Sequence, residues 1–477
     1  MDSTKEATER THIVDKSEPL NGAINTSDKV ELIEDGALEE EEKQSSVTGA
    51  SFNTANSILG SGIIGIPYAM MKSGLPFGII LLILVAGITD YSLVLLIKGG
   101  HLSGRDTYQG LVEVAFGRFG YYFLTVIQFL YPFIAMISYN VIIGDTITAV
   151  FIRVFDEEHV LANRYFVISL VTVFITLPIS LYQNVAKLVK ISIASLVLVF
   201  FIMVVVIIRY TSLDLPSTPD PWVFAKITFP ESIGIMAFAF ICHHNSFLLY
   251  TSLEDPTVDK WSTVTHLAVL ISFVPCAIFG IFGYATFTGN TQGDILENYC
   301  YDDDLANAAR LVFAITIMCT FPLECFVCRE VLENFCVHQR WVEEPQPYTR
   351  HLIFTLVVAG LVLGFSMSTA CLGIVLSLNG ILCAIPLVFI LPTLSYIKLE
   401  SGSLLSKQKI PALIIAIFGC LVFICGVVIL VVNSGEGRCE TVVDLSYCNA
   451  SDLITTSTFT QKLTTIGSTV ATSIGPT

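Results

Sequence analysis

The stretch Asn53-Thr-Ala-Asn-Ser-Ile-Leu-Gly-Ser-Gly-Ile-Ile-Gly-Ile-Pro67 lies in an apolar run long enough to cross a bilayer, yet it holds two asparagines, Gly60, Gly62, Gly65 and a proline. A helix facing lipid has no use for that composition, because each backbone N–H or C=O left unpaired in hydrocarbon costs several kcal/mol. Close packing of small residues would account for the glycines alone. It does not account for the asparagines or Pro67, which add groups that need partners in a dry environment. The expectation is a helix that comes apart near residue 60 and offers its backbone to something inside a cavity.

Composition places the rest of the chain in the same setting. Of 477 residues, 53% are hydrophobic and 14% charged, with a mean hydropathy of +0.71, whereas soluble chains carry about 25% charged residues. Runs of the roughly 17 to 25 residues needed to span a bilayer recur eleven times, over 51–72, 75–97, 120–150, 164–181, 187–209, 229–250, 263–287, 306–328, 351–368, 371–396 and 410–432. The fold class is therefore an all-α polytopic membrane protein embedded in a lipid bilayer. Tyr131-Pro132 falls inside the longest run and predicts a kink or tilt there.

Residues 1–49 are polar and acidic, with Glu39-Glu-Glu-Glu42. They read as a disordered tail and not as a cleavable signal peptide, which opens on a basic and then an apolar stretch. This tail holds a large share of the net charge of −16, so the acidity says little about a solute path, and nothing points to nucleic acid. With the amino end in the cytosol, lysines and arginines such as Lys98, Arg105, Arg118, Lys187, Lys190 and Lys260 concentrate in cytosolic loops. An odd number of spans then puts the carboxyl end, 433–477, outside the cell or in a lumen as a flexible Ser/Thr-rich tail. Asp28-Lys-Val-Glu-Leu-Ile33 fits an acidic dileucine sorting signal, which leaves plasma membrane and endolysosomal membrane both open.

Three cysteines, Cys300, Cys439 and Cys448, fall on the non-cytosolic side, where disulfides persist. A Cys439–Cys448 bridge is expected, and the other ten read as small apolar residues. Asn449-Ala-Ser451 is a sequon on the permitted side, which marks Asn449 for glycosylation. No cysteine or histidine spacing suggests zinc, and no nucleophile–base pair or cofactor loop suggests an enzyme.

Spans one to five and six to ten can be laid over one another as two units of opposite topology, in which the first span of each is the irregular one. In the second unit that span is Glu231-Ser-Ile-Gly-Ile-Met-Ala-Phe-Ala-Phe-Ile-Cys-His-His-Asn245, a glycine followed by a polar cluster where the membrane is driest. Paired interruptions of this kind point to a transporter site near the midplane. Unwinding at Gly60-Ser-Gly62 frees N–H groups at the positive end of the next half-helix, which suits a carboxylate. Freed carbonyls with the Asn56 side-chain oxygen suit a small hard cation, and carbonyls around Ala239, Phe240 and Ile241 suit an ammonium. A zwitterion needs both ends, so an amino acid is the expected solute, with a plain anion as the alternative.

These residues resemble the sodium-coupled neutral amino acid transporters of the amino acid/auxin permease superfamily. The resemblance rests on Asn-x-x-Asn-x-x-x-Gly-Ser-Gly-Ile-x-Gly-x-Pro at 53–67, Ala135-Met-Ile-Ser-Tyr139 and Thr320-Phe-Pro322, with longer strings at 128–140 and 238–247. It runs from about residue 50 to 432 and is absent from the tails. It implies a LeuT-type fold of five plus five inverted spans with an eleventh helix (repeat one about 51–209, repeat two about 229–396), and sodium-linked uptake of neutral L-amino acids. By motif position, Asn56 would ligate Na+ beside the Leu59 carbonyl, with Thr320 completing the site and Thr316 one turn earlier. Ser61 and Gly62 would cradle the substrate carboxylate, and Ser377 and Asn379 would line the path. The string His243-His244-Asn245 departs from the better-known sodium-coupled members, which leaves H+ open as the coupling ion.

Further candidates come from individual side chains. His243 and His244 titrate near neutral pH and read either as a proton relay or as neutral, hydrogen-bonded histidines. Glu324, two residues after Pro322, is an intramembrane carboxylate, with Arg329 close enough in sequence to suggest a gating or anchoring ion pair. Ser138, Tyr139 and Asn140 would face the site from the third span, with Tyr139 closing over substrate. Lys187 and Lys190 read as residues that snorkel to lipid headgroups. Together these imply a secondary active symporter without a cofactor, with an amino-acid sensor using the same cleft as the rival reading.

Overall fold

A computed structural model of the chain describes residues 45–155, 158–182, 192–213, 215, 218, 221–343, 346–369, 371–434 and 447–448. Residues 1–44 of the expected tail 1–49, with Lys187, Lys190, Cys439 and Asn449, lie outside the described residues, while 47–49 already belong to the first helix. Among the described residues the regular structure is helical, and eight helices are long and apolar enough to cross a membrane. We number them in chain order together with the shorter pieces. Val47–Ile58 (α1) and Ile66–Ser73 (α2) flank a 3-10 turn over Ser61–Gly65. Then come Leu75–Ser103 (α3), Tyr108–Phe155 (α4), Arg164–Ser180 (α5) and Ser192–Ser212 (α6). Phe229–Phe240 (α7) and Ser246–Thr251 (α8) are again the two parts of one broken span. Val258–Phe287 (α9), Asp304–His338 (α10), Tyr348–Ser368 (α11), Leu372–Leu399 (α12) and Ile410–Ser434 (α13) complete the order.

What makes this an integral membrane protein is where its apolar side chains point. On α13, Ile414, Ile417, Leu421, Ile424 and Val428 recur at three- and four-residue spacing, and each is more than half exposed. A stripe of that size has no place in water and belongs against lipid tails. The inward faces form one continuous apolar core, crossed by a few deliberate polar bonds. The Trp261 indole donates to the Leu93 carbonyl at 3.1 Å, and the Tyr108 hydroxyl donates to the Leu387 carbonyl at 2.9 Å.

Two helices depart furthest from their expected extents, each for a physical reason. The third run, expected over 120–150, belongs to a longer element that starts at Tyr108 and bends at Gly117, whose φ of 67° is open to glycine. The eighth run, expected to stop at residue 328, continues to His338. Its last turns carry charged residues that end a hydropathy window but do not end a helix. That extension moves Glu324 from the end of a span to its interior.

The disulfide expectation is corrected. Cys448 is bonded to Cys300, not to Cys439. The residue before it explains the choice: the Tyr447 hydroxyl donates to the Asn298 carbonyl and its ring leans on Phe287, which seats 447–448 against the loop that carries Cys300. Cys371, read from sequence as an apolar residue in a span, is also disulfide-bonded; it sits in the short link before α12. Non-reducing peptide mapping is expected to recover Cys300 joined to Cys448, and recovery of Cys439 joined to Cys448 would contradict this. We call the side carrying this bridge the disulfide face.

Candidate functional site

The first helix breaks where the sequence placed the break. Ile58 is its last helical residue; Leu59 has φ −78° and ψ 59°, and Gly60 has φ −92° and ψ −149°. The chain then makes the Ser61–Gly65 turn and resumes at Ile66, with Pro67 in the first turn of α2, where its missing N–H costs nothing. The second break follows Phe240: Ile241 is extended, at φ −75° and ψ 124°, and a short turn over His243–Asn245 leads into α8.

The two breaks touch. A Cβ placed on Gly62 would stand 2.5 Å from Ala239 Cα and 2.8 Å from its Cβ. Gly62 is therefore glycine because the unwound first segment lies directly on the backbone of α7. Gly60, by contrast, has no atom within 4 Å of its Cβ position. Phe240 is fully buried beside this contact.

A group of polar side chains surrounds the meeting point. Tyr139 is buried on α4, with Ser61 beside its hydroxyl, which donates to Glu324 Oε1 at 3.5 Å. Glu324 Oε2, His244 Nδ1, Ser377 Oγ and Asn379 Oδ1 are buried without a hydrogen-bond partner, as are Asn56 Oδ1 on α1 and Gln128 Oε1 on α4. Each such atom costs about 1–3 kcal/mol when it stays unpaired, so each marks a place able to receive a polar atom. Tyr131 joins the group: its ring lies 5.1 Å from His244, and its carbonyl accepts from Asn379 Nδ2 at 3.1 Å.

Several expected residues sit elsewhere or are already engaged. Glu324 and Arg329 are not paired. Arg329 donates to the Ser180 carbonyl at 3.3 Å and to Thr355 Oγ1 at 3.1 Å. Five residues along a helix amount to well over one turn, so the two side chains leave different faces. Ser138 bonds its own helix, at the Ala135 carbonyl, and Asn140 accepts from Thr172. Thr320 and Thr316 stack one turn apart on α10, donating to the Thr316 and Val312 carbonyls at 2.8 and 2.9 Å. They share no hydrogen bond with Asn56; α1 and α10 both pack on α6. His243 is fully buried with Nε2 2.9 Å from Ser92 Oγ, while His244 faces Tyr131. The neighbouring histidines point apart, as adjacent residues on one segment do. Sequence reasoning passed over Tyr131 and Gln128; both stand in the string 128–140 that carried the resemblance.

With this geometry in hand, comparison with known proteins is informative. The signature described as "Transmembrane amino acid transporter protein" matches residues 43–432. The chain is 46% identical to "Putative sodium-coupled neutral amino acid transporter 11" of Danio rerio over 434 residues, covering 90% of this chain and 96% of that one. It is 47% identical to the Homo sapiens protein of the same name over 393 residues, 82% and 95% of the two chains. "Vacuolar amino acid transporter 2" of Saccharomyces cerevisiae is 31% identical over 436 residues, 87% and 90%. These relatives are named for transport and not for catalysis. The chain belongs to the transmembrane amino acid transporter family.

Proposed function

We propose that the chain is a secondary active symporter for neutral L-amino acids, coupled to sodium, working by alternating access around its two broken helices. The observation that carries this reading is the contact of the first break with the last turn of α7 at Gly62 and Ala239, with Tyr139 beside Ser61 and Glu324, and Glu324 Oε2 without a partner. In this reading the architecture is the LeuT type, with eleven spans, and the two breaks are the corresponding first helices of inverted repeats. The substrate carboxylate meets Ser61 and Gly62, where the following half-helix presents its positive end. The ammonium meets the carbonyls of Ala239, Phe240 and Ile241. Sodium sits between Asn56 Oδ1, the Leu59 carbonyl and the hydroxyl oxygens of Thr316 and Thr320. Both hydroxyls already donate to their own helix, so oxygen lone pairs are what they have left to give a cation. Ion and substrate favour one another because both stabilise the same backbone arrangement.

The names of two relatives support sodium and amino acids. The disulfide face is the extracellular or luminal one in this reading, since disulfides persist there, and the amino end is cytosolic. Glu324 favours a second reading, coupling to protons, because a buried carboxylate with no cation on it can carry one. Proteoliposome uptake of an amino acid panel, with sodium and pH gradients imposed separately, tests both. Accumulation driven by sodium alone is the expected result; accumulation driven by pH in sodium-free buffer would replace it with the second reading. Asn56→Ala and Thr320→Ala are each expected to raise the sodium needed for half-maximal uptake by about tenfold, about 1.4 kcal/mol of ion binding. Thermal stability should change little; an unaltered sodium response in both variants would count against the assignment.

A further inference from the structure

The 3-10 turn Ile295–Asn298, in the loop between α9 and α10, packs on the Ser61–Gly65 turn and so covers the broken first helix from the disulfide face. One side of this loop is firmly tied. Arg310 is fully buried on α10 and donates to the carbonyls of Leu296, Tyr299 and Cys300, and Cys300 is bridged to Cys448.

The side facing α4 is held differently. A cavity of about 280 Å³ lies there, lined by Asp145, Thr148, Arg164, Glu297, Tyr301 and Arg310 among others. The Asp145 side chain is 10% exposed. Its Oδ1 accepts from Arg164 Nε, and its Oδ2 has no N–H or hydroxyl donor. The Asp145 side chain also interacts with the carboxyl of Glu297, which lines the same cavity. Asp294, fully buried at the start of the turn, accepts from the Leu296 N–H at 2.8 Å through Oδ1, and its Oδ2 likewise has no donor.

The nearby cations bond mainly to other groups. Arg164 holds Asp145 through Nε and reaches the Thr369 carbonyl at 3.3 Å, with its Nη2 left without an acceptor and its charge felt by Glu297. Arg310 holds backbone carbonyls and Asn307, with the Tyr301 ring against it. Arg209 is paired with Asp303, which lies near Tyr299. Three carboxyls thus act on one another here, and Asp145 Oδ2 and Asp294 Oδ2 lack a donor that a carboxyl proton can supply.

We propose that Asp145, Glu297 and Asp294 form a proton-binding site that latches this loop over the transport site. With a proton in place, Glu297 donates to Asp145 Oδ2 and the loop stays down. Without it, the ionised carboxyls of Glu297 and Asp294 face that of Asp145, and mutual repulsion lifts the loop. Burial, with the Asp145 charge adding to it, raises Asp294 to about 7 and Glu297 well above the usual carboxyl range. Both shifts are upward in the closed loop. Closure is therefore fully favoured below the ordinary carboxyl range and is lost as pH rises through about 7 and beyond. The latch is independent of which solute or ion crosses, so it stands apart from the transport reading.

The test uses the full chain in proteoliposomes, with Thr148→Cys at the cavity wall as a reporter for a charged, membrane-impermeant methanethiosulfonate. The thiol's own ionisation speeds labelling as pH rises. The result is therefore expressed relative to the same reporter in a Glu297→Gln, Asp294→Asn chain, where that contribution is equal. From pH 5 to pH 7 the parent chain is expected to show at least about tenfold more acceleration than the variant, one proton released on opening being worth about tenfold per pH unit inside the window. Asp145→Asn removes the opposing charge and is expected to flatten the profile in the same way, which keeps the test decisive if the double variant does not fold. Equal acceleration in the parent and in a folded variant would overturn the latch. Because labelling needs no transport, loss of uptake with the latch intact would sink the symporter reading alone.

Discussion

If Glu324 carries a coupling proton, Glu324→Gln is expected to lower amino acid uptake by about 100-fold or more while leaving the chain folded and at least as stable. Glutamine keeps the shape and can still accept from Tyr139, so the 3.5 Å contact to that hydroxyl does not decide the outcome. What it cannot do is carry a charge or a titratable proton. Glu324 lies near the middle of α10, has no cation bonded to it, and has its Oε2 buried without a donor. A carboxylate placed so is costly to the resting protein, so removing its charge should cost no stability. The expected loss of about 100-fold in uptake corresponds to about 2.8 kcal/mol. Uptake and thermal unfolding measured together check the claim. If Glu324→Gln transports like the parent, the carboxylate is structural and the proton reading falls with it.

Gly62→Ala is the second large effect, and Gly60→Ala is its control. At residue 62 a methyl group would stand 2.5 Å from Ala239 Cα, which is backbone and cannot swing aside. Overpacking of that kind costs about 1–3 kcal/mol, and here it also forces apart the two breaks that form the proposed site. More than tenfold loss of uptake, with a lowered melting temperature, is expected. At residue 60 nothing lies within 4 Å of the added methyl, so Gly60→Ala should retain most activity. Equal effects at the two positions would show that the glycines serve flexibility alone.

That contrast also shows how far the sequence could be read. The break near residue 60 was legible because Asn56, three glycines and Pro67 have no use on a continuous lipid-facing helix. The glycines looked alike there, and only the approach of Ala239 separates residue 62 from residue 60. The second break was legible from His243-His244-Asn245, a polar string in an apolar span. The partner of Glu324 was not, because it depends on which way a helix faces and how far it runs. Nearness in sequence suggested Arg329, whereas helical geometry turns Glu324 to Tyr139 on a span 185 residues away. The Cys300–Cys448 bridge was out of reach for a similar reason, since the seating of Tyr447 on the Asn298 loop brings together residues 148 positions apart. Asp145 stands on α4, whereas Asp294 and Glu297 share one turn between α9 and α10, so no local pattern unites the three.

The central claim is that a solute is held where two unwound segments meet at the middle of the bundle. An electron cryomicroscopy map of the full chain in lipid nanodiscs, with the amino acid selected by the uptake panel, tests it most directly. The account expects ligand density against Gly62 and Ala239, within reach of Tyr139 and Glu324. Unbroken helix through residues 58–66 and 238–246, or ligand density only at a distance from both segments, would contradict it.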